Sequence, residues 1–316
     1  MTPTPTTERA WLRGQYEAVE LTPEASARRY ARSLHPDAAG WLRVTSESPA
    51  PRAITDFLLE QEVRVPRIGL EVDGVYLVED FGDLHLHHQA TPAHYAALLG
   101  VHRRYFLAEL PVGHPNRKLA LDASLFRREL RLFLEVSLTQ RAGRDFDSTE
   151  VAALTQALDR LADLACEGPQ ALQHRDLHSR NVLIHEGAIV LIDHQDMRRG
   201  PLFYDLASLE TDAYLDLPED VHAVVRAERH RLGEIAGLDP GETDRQFRRT
   251  ALQRVLKALG TFGRLLGEGR SDYAEAEDRA LRHARALLDQ IVGDDAAATF
   301  SLSPLLDVEW LRGTRA

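Results

Sequence analysis

Three oxygen-bearing side chains stand out by type and spacing. Asp176 and Asn181 lie in HRDLHSRN (174–181), and Asp193 lies in IDHQD (192–196), twelve residues beyond Asn181. Between the two segments runs VLIHEGAIVLI, two short apolar runs on either side of Glu186 and Gly187, which reads as a tight hairpin. A hairpin brings the loop before it and the loop after it to the same end, so Asp176, Asn181 and Asp193 can converge. A carboxylate plus an amide oxygen is a hard donor set that suits Mg2+, which retains several of its waters. A second carboxylate kept off the metal can orient a hydroxyl and take its proton. Those are the needs of phosphoryl transfer, in which the protein does little covalent work and mainly positions charge.

These side chains need elements to hold them. Over the first 83 residues, TERAWLRGQYEAV (7–19) and SPAPRAITDFLLEQEV (48–63) read as helices. ARRYARSL and GWLRVTSE alternate as strands around the HPDAAG turn, and Asp73-Gly74 turns a further hairpin in PRIGLEVDGVYLVEDFGD. From residue 91 onward the pattern is helical, over 92–109, 120–141, 148–166, 202–214, 218–235, 241–268 and 272–292, with the 182–193 hairpin as the one β interruption. The expectation is an α+β chain of two lobes. Residues 1–83 form a small antiparallel β-sheet lobe and residues 84–316 a larger, mostly helical lobe, with a ligand cleft between them.

Composition narrows the function. The net charge of -11 is spread along the whole chain, which argues against nucleic acid as a partner. Cys166 is the single cysteine, so there is neither a disulfide framework nor a thiolate metal cluster. No run approaches 18 apolar residues and the first residues lack the apolar stretch of a secretory signal, so the chain reads as cytoplasmic, with no membrane partner. Nothing marks an obligatory protein partner. Lys118 and Lys257 are the only lysines, and neither precedes Ser or Thr, so no Gly-Lys-Ser/Thr phosphate loop is present.

HRDLHSRN also has the H-R-D-L-x-x-x-N spacing of the protein-kinase catalytic loop. The chain resembles the aminoglycoside phosphotransferase and choline kinase-like branch of that fold. Within the branch it is most similar to bacterial sugar kinases that act on the anomeric hydroxyl of N-acetylmuramate and N-acetylglucosamine. The segments that carry this resemblance are IDHQDMRRGPLFYDLASLETDAY (192–214), LQRVLKALGTFGRL (252–265), EASARRYAR and VRVPRIGLEVDGVYLVEDFGD. The resemblance implies a bilobal protein-kinase-like fold, ATP and Mg2+ as cofactors, and a small-molecule sugar substrate. By the same resemblance Asp176 is the catalytic base, Asn181 and Asp193 hold Mg2+, and backbone groups near Glu79 and Phe81 meet adenine. Asp205 holds the catalytic loop in place, and His174 is structural.

The chain also departs from the pattern. His194 stands where the branch usually has Phe, and His178, on the substrate side, takes the place of the catalytic-loop Lys of protein kinases. Kinases grip the α- and β-phosphates with a strand lysine, but no lysine precedes residue 118. Arg43 in GWLRVTSE is the nearest substitute, with Glu60 or Glu62 as its partner. Asp196 either serves a second metal or the sugar, or pairs with Arg198 or Arg199. Of Arg28 and Arg29, which follow Ser26 in the nucleotide loop, at least one is simply solvated. HLHH (85–88) reads as a polar surface or substrate-side feature, since neither Cys nor an HExxH pattern accompanies it. Two other functions stay open. One is an aminoglycoside or other hydroxyl kinase, and the other is a nucleotide-binding pseudokinase, suggested by the missing lysine and by His194.

Overall fold

The alternating segments of the first lobe form one antiparallel sheet. In a computed structural model, which describes residues 5–21, 28–139, 145–294, 302–305 and 308–312, its strands are β1 (Ala18–Leu21), β2 (Arg29–Ser33), β3 (Trp41–Thr45), β4 (Ile68–Val72) and β5 (Val75–Glu79). They lie side by side in the order β1-β2-β3-β5-β4. Ser26 and the rest of 22–27 lie outside the described residues. Helix α1 is Pro5–Leu12, shorter than the 7–19 expected, because Gly14 turns the chain at a positive φ of 69° and Ala18–Leu21 then pairs with β2. The β4–β5 turn carries Asp73 (φ 50°) and Gly74 (φ 77°), both left-handed, as a two-residue hairpin of this twist requires.

Alternation along the strands decides which side chains face the cleft. Ala31, Arg43 and Leu77 are register partners on the outer face, where Trp11 and Leu12 of α1 close a small core over Ala31 and Leu77. Tyr30, Val44 and Tyr76 pair on the inner face, as do Arg32, Leu42 and Val78, and all six line the cleft. Helix α2 (Arg52–Glu60) lies between β3 and β4 in sequence, yet Ile54, Phe57 and Leu58 join the core of the larger lobe. Burying each such side chain is worth about 1.5–3 kcal/mol, so α2 is anchored to that lobe.

The larger lobe contains α3 (Pro92–Phe106), α4 (Ala123–Leu132), α5 (Ser148–Ala165), α6 (Tyr204–Glu210), α7 (Glu219–Ile235), α8 (Pro240–Gly267), α9 (Ala274–Asp294) and the short α10 (Glu309–Arg312). The helix expected over 202–214 is only α6. Helix α4 runs on as a π-helical turn, Phe133–Leu138, packed against α8. A Cβ on Gly263 of α8 would lie 2.3 Å from Ser137 Oγ, which itself donates to the Leu259 carbonyl at 2.7 Å. Glycine permits this approach, and α8 runs through the core on Ala251, Leu252, Val255, Leu256 and Leu259.

Two small ladders hold the chemistry-bearing loops. The expected hairpin forms as β7 (Val182–His185) and β8 (Ala188–Leu191), with Glu186 and Gly187 both at positive φ. A second ladder, β6 (Gln170–Gln173) against β9 (Arg198–Pro201), was not expected. Residues 174–181 leave β6 and enter β7, while residues 192–197 leave β8 and enter β9, so the two loops are clamped at both ends. Among the described residues no helix is long and apolar enough to cross a membrane.

Candidate active site

Two buried acids distant in sequence set the backbone of loop 174–181. Asp205, at the start of α6, accepts from His174 N at 2.7 Å, Arg175 N at 3.0 Å and Tyr105 Oη at 3.0 Å. Asp212 accepts from Ser179 N at 2.6 Å. Arg175 sits at φ 82°, a conformation that costs a non-glycine residue about 1–2 kcal/mol, and the paired N–H groups on Asp205 hold it there. His174 Nε2 donates to the Ile192 carbonyl at 3.0 Å and ties this loop to the next.

The convergence expected of Asp176, Asn181 and Asp193 is present: all three line the cleft between the lobes, a cavity of about 780 Å3. Asp176 Oδ1 accepts from Lys257 Nζ at 2.7 Å, and Arg175 Nε lies 4.0 Å from Oδ2. Burial opposes ionisation of Asp176, but Lys257 and Arg175 outweigh it and hold the carboxyl well below the usual carboxylate range. Asn181 Nδ2 donates to the Asp176 carbonyl at 2.9 Å and to His178 Nε2 at 3.3 Å. His178 can accept because burial, and then Arg254, push its pKa down to about 3, so the ring is neutral.

With both amide hydrogens of Asn181 so used, its Oδ1 is the atom left for a cation. Asp193 adds a carboxylate that is 40% exposed at the cleft, on backbone held at φ 61°. Its Oδ1 accepts from Gln195 Nε2 at 2.8 Å. This all-oxygen pair, a buried amide and an exposed carboxylate that both line the cleft, fits Mg2+. Next to it, His194 is buried at the back of the cleft, bonded to Thr55, which also lines it. Thr55 Oγ1 donates to the Pro51 carbonyl at 2.9 Å, so His194 Nε2 must donate to Thr55 Oγ1, at 2.8 Å. Burial keeps the ring neutral, with a pKa of about 3, and the residue pins the 192–197 loop to α2. Asp196 pairs with Arg198 at 2.7 Å and Arg175 at 3.1 Å, while Arg199 goes to Glu109.

The roof of the cleft differs from expectation at one residue. Arg43 lies on the outer face, 5.3 Å over the Trp11 ring and 4.0 Å from Glu20, and it does not line the cleft. The cause is strand parity: Leu42 and Val44 face inward, so residue 43 cannot. Glu60 and Glu62 are not its partners, and Glu62 lies near Arg104. The inward cations are Arg28 and Arg32, which alternate with exposed Arg29 and buried Ala31. Arg32 is committed to the hinge, at 2.6 Å from Asp80 and 2.5 Å from Asp83. Arg28, only 14% exposed, reaches across to 3.9 Å from Asp193. Glu79 and Phe81 both line the cleft. The Glu79 side chain is taken by Arg67, and the Phe81 carbonyl accepts from His185 Nδ1 at 3.1 Å. In HLHH, His85 Nδ1 donates to the Arg180 carbonyl at 2.6 Å, and among the described residues no group of three His, Cys, Asp or Glu is arranged to hold a metal.

Lys257 and Asp212 escaped the sequence reading because they lie 81 and 33 residues from the atoms they touch. A signal for Lys257 did exist: it is one of two lysines in a chain that otherwise uses arginine.

A strand-rich lobe and a helical lobe clamping an Asp/Asn/Asp set define a phosphotransferase of the protein-kinase-like fold. The model of the phosphotransferase enzyme family matches residues 12–242, well over half of the chain, and the chain belongs to that family. It is a kinase that uses an alcohol group as acceptor. Among characterised proteins it is similar to the N-acetylmuramate/N-acetylglucosamine kinase of Neisseria meningitidis, 28% identical over 307 residues, covering 87% of this chain and 91% of the relative. The Pseudomonas aeruginosa kinase of the same name is 29% identical over 270 residues, covering 80% and 78%. Among solved structures, an amicoumacin kinase in complex with AMP-PNP, Ca2+ and Ami superposes with a TM-score of 0.61 at 13% identity, covering 90% of this chain and 93% of that one. A thermostable mutant of an aminoglycoside phosphotransferase gives 0.55 at 18% identity, covering 88% and 98%. At those identities the structural likeness speaks for the fold.

Proposed function

We propose that the chain is an ATP- and Mg2+-dependent sugar kinase that phosphorylates the anomeric hydroxyl of N-acetylmuramate or N-acetylglucosamine. Beyond its curated relatives, one observation carries this reading: the cleft does not share the acidity of the chain. Arg28, Arg32, Arg175, Arg180, Arg254, Lys257 and Arg264, seven cations, line it against six anions, Glu79, Asp80, Asp83, Asp176, Asp193 and Asp196. Three of those acids lie at the hinge and three at the reacting centre. The remaining wall, with Arg180 4.1 Å over the Tyr214 ring and with Arg254, Arg264, Phe262 and Tyr273, is basic and aromatic. Such a wall suits the apolar face of a sugar ring and an acceptor that is neutral or bears a carboxylate. It repels a polycationic aminoglycoside.

In this reading the purine lies under Leu42, Val44 and Val78, beside the Glu79–Phe81 backbone. Arg28 neutralises the phosphates in place of the missing strand lysine. Asn181 and Asp193 would hold Mg2+, which supplies charge neutralisation along the phosphate chain when bound. Asp176 orients the acceptor hydroxyl and takes its proton as the new O–P bond forms. His194, by fastening the metal loop to α2, keeps Asp193 in place.

The test is a coupled ADP-release assay with product analysis over N-acetylmuramate, N-acetylglucosamine, the 1-O-methyl glycoside of N-acetylglucosamine, and kanamycin. Transfer to the free sugars and not to the blocked glycoside is expected, with Asp176→Asn at least about 1,000-fold slower. Phosphate on kanamycin alone would favour the aminoglycoside reading. Mg2+-dependent ATP binding with no turnover on any acceptor would favour a pseudokinase.

A further inference from the structure

Lys257 projects from the middle of α8 into the cleft and ends 2.7 Å from Asp176 Oδ1. The pair is shielded: the two side chains are 18% and 25% exposed. Other cations near the base are otherwise engaged. Arg175 divides its guanidinium between Asp196 at 3.1 Å and Glu129 at 3.4 Å, and Arg254 Nε is bonded to Ser208 Oγ. His178, two residues after Asp176, has its Nε2 engaged as an acceptor from Asn181 at 3.3 Å. Arg180, the other cation of the loop, lies 4.1 Å over the Tyr214 ring, so the ammonium that contacts Asp176 comes from Lys257, on a helix 81 residues away.

We propose that Lys257 is a catalytic residue that passes its charge from the base to the transferred phosphoryl group. This rests on the kinase reading above. In the resting enzyme the ammonium neutralises the Asp176 carboxylate. During transfer the acceptor oxygen bonds to the γ-phosphorus, and the bond from that phosphorus to the β,γ-bridging oxygen breaks. The electron pair of the broken bond leaves with ADP, and the acceptor proton moves to Asp176. The carboxyl is then neutral and releases its hold on Nζ. A lysine has three N–H donors on a flexible four-carbon stem, so the released ammonium can swing to the oxygens of the new phosphate ester. A rigid, divided guanidinium such as that of Arg175 cannot make this exchange. The alternative is that Lys257 merely props Asp176 in position.

The experiment uses the full chain and whichever hydroxyl acceptor the wild type turns over. Lys257→Met and Lys257→Gln keep the packed stem and remove the charge. They are expected to lose about 100- to 1,000-fold in kcat, with KM for ATP and for acceptor within about threefold of wild type. Lys257→Arg should fall between these and wild type. In Lys257→Ala, added ethylammonium should restore at least about tenfold in kcat and an equal concentration of ethanol should not. A prop would instead move KM and thermal stability along with kcat, and the cavity-filling alcohol would serve as well as the amine. A kcat within fivefold of wild type in folded Lys257→Met or Lys257→Gln, or equal rescue by amine and alcohol, overturns the proposal. An unaffected Lys257→Met beside an inactive Asp176→Asn would sink this inference alone, whereas a wild type that phosphorylates nothing would sink the functional reading with it.

Discussion

Replacing Asp205 should loosen the 174–181 loop from behind without touching the cleft. The carboxylate is fully buried and accepts from two backbone N–H groups and one phenol. A hydrogen bond to a charged group contributes about 1.5–3 kcal/mol, and a buried donor left without an acceptor costs about 1–3 kcal/mol. Asp205→Ala strands His174 N–H and Arg175 N–H together, which puts the loss at about 3–5 kcal/mol, a large share of the 5–15 kcal/mol that stabilises a typical domain. Asp205→Asn keeps one oxygen and turns an NH2 toward the other donor, so about 2–3 kcal/mol is expected. Once the N–H of Arg175 is released, the backbone bond that favours φ 82° is gone, and relaxation there moves Asp176, the next residue. If Asp176 is the base proposed above, a displacement of about 1 Å there costs on the order of 100-fold in kcat. Urea denaturation gives the stability loss, and the coupled assay well below the unfolding midpoint gives the rate. An Asp205→Asn protein with the wild-type midpoint and the wild-type kcat would refute the reasoning.

The cleft roof gives a paired test: Arg28→Ala should raise KM for ATP about tenfold, whereas Arg43→Ala should leave it within twofold and cost about 1 kcal/mol through the Trp11 contact, and the reverse result would return the phosphate role to β3. Gly263→Ala should lower stability by about 1–3 kcal/mol through its clash with Ser137, and an unchanged melting temperature would argue against so close an approach of α8 to the π turn. His283 is pushed down to about 4, chiefly by burial. Between pH 6.5 and 4 the unfolded chain binds a proton there that the native state refuses, so stability falls as pH falls through that window. His283→Gln should remove on the order of 2 kcal/mol of that loss by pH 4.5, measured as the difference in unfolding free energy between pH 7 and 4.5, and an unaltered difference would count against it.

What the sequence reveals and what it conceals separate along local and non-local lines. Both hairpins are legible because Asp73-Gly74 and Glu186-Gly187 carry their turn chemistry within two residues, and the Asp176/Asn181/Asp193 set is legible because one hairpin fixes its convergence. The β6–β9 ladder is not, since Arg198–Pro201 reads as a basic loop until Gln170–Gln173, 28 residues earlier, lies beside it. Arg43 shows the limit of a period-2 pattern. Alternation says that residues 42 and 44 share a face and 43 does not, but only the packing of α1 decides which face is the outer one. Lys257 and Asp212 act on the loop across 81 and 33 residues, and no spacing rule links them to it.

The arrangement of α8 bears on how such an enzyme can diverge. Arg254, Lys257, Ala258, Thr261 and Arg264 recur at three- and four-residue intervals, so one stripe of a single helix furnishes much of the cleft floor. The backbone of the catalytic loop is fastened elsewhere, by Asp205 and Asp212. Substitutions at Ala258, Thr261 or Arg264 therefore alter what an incoming molecule meets while leaving those fastenings intact. A lineage under selection for a new acceptor has a short mutational path along that stripe, and duplicated copies can drift apart in preference while inheriting the same chemistry.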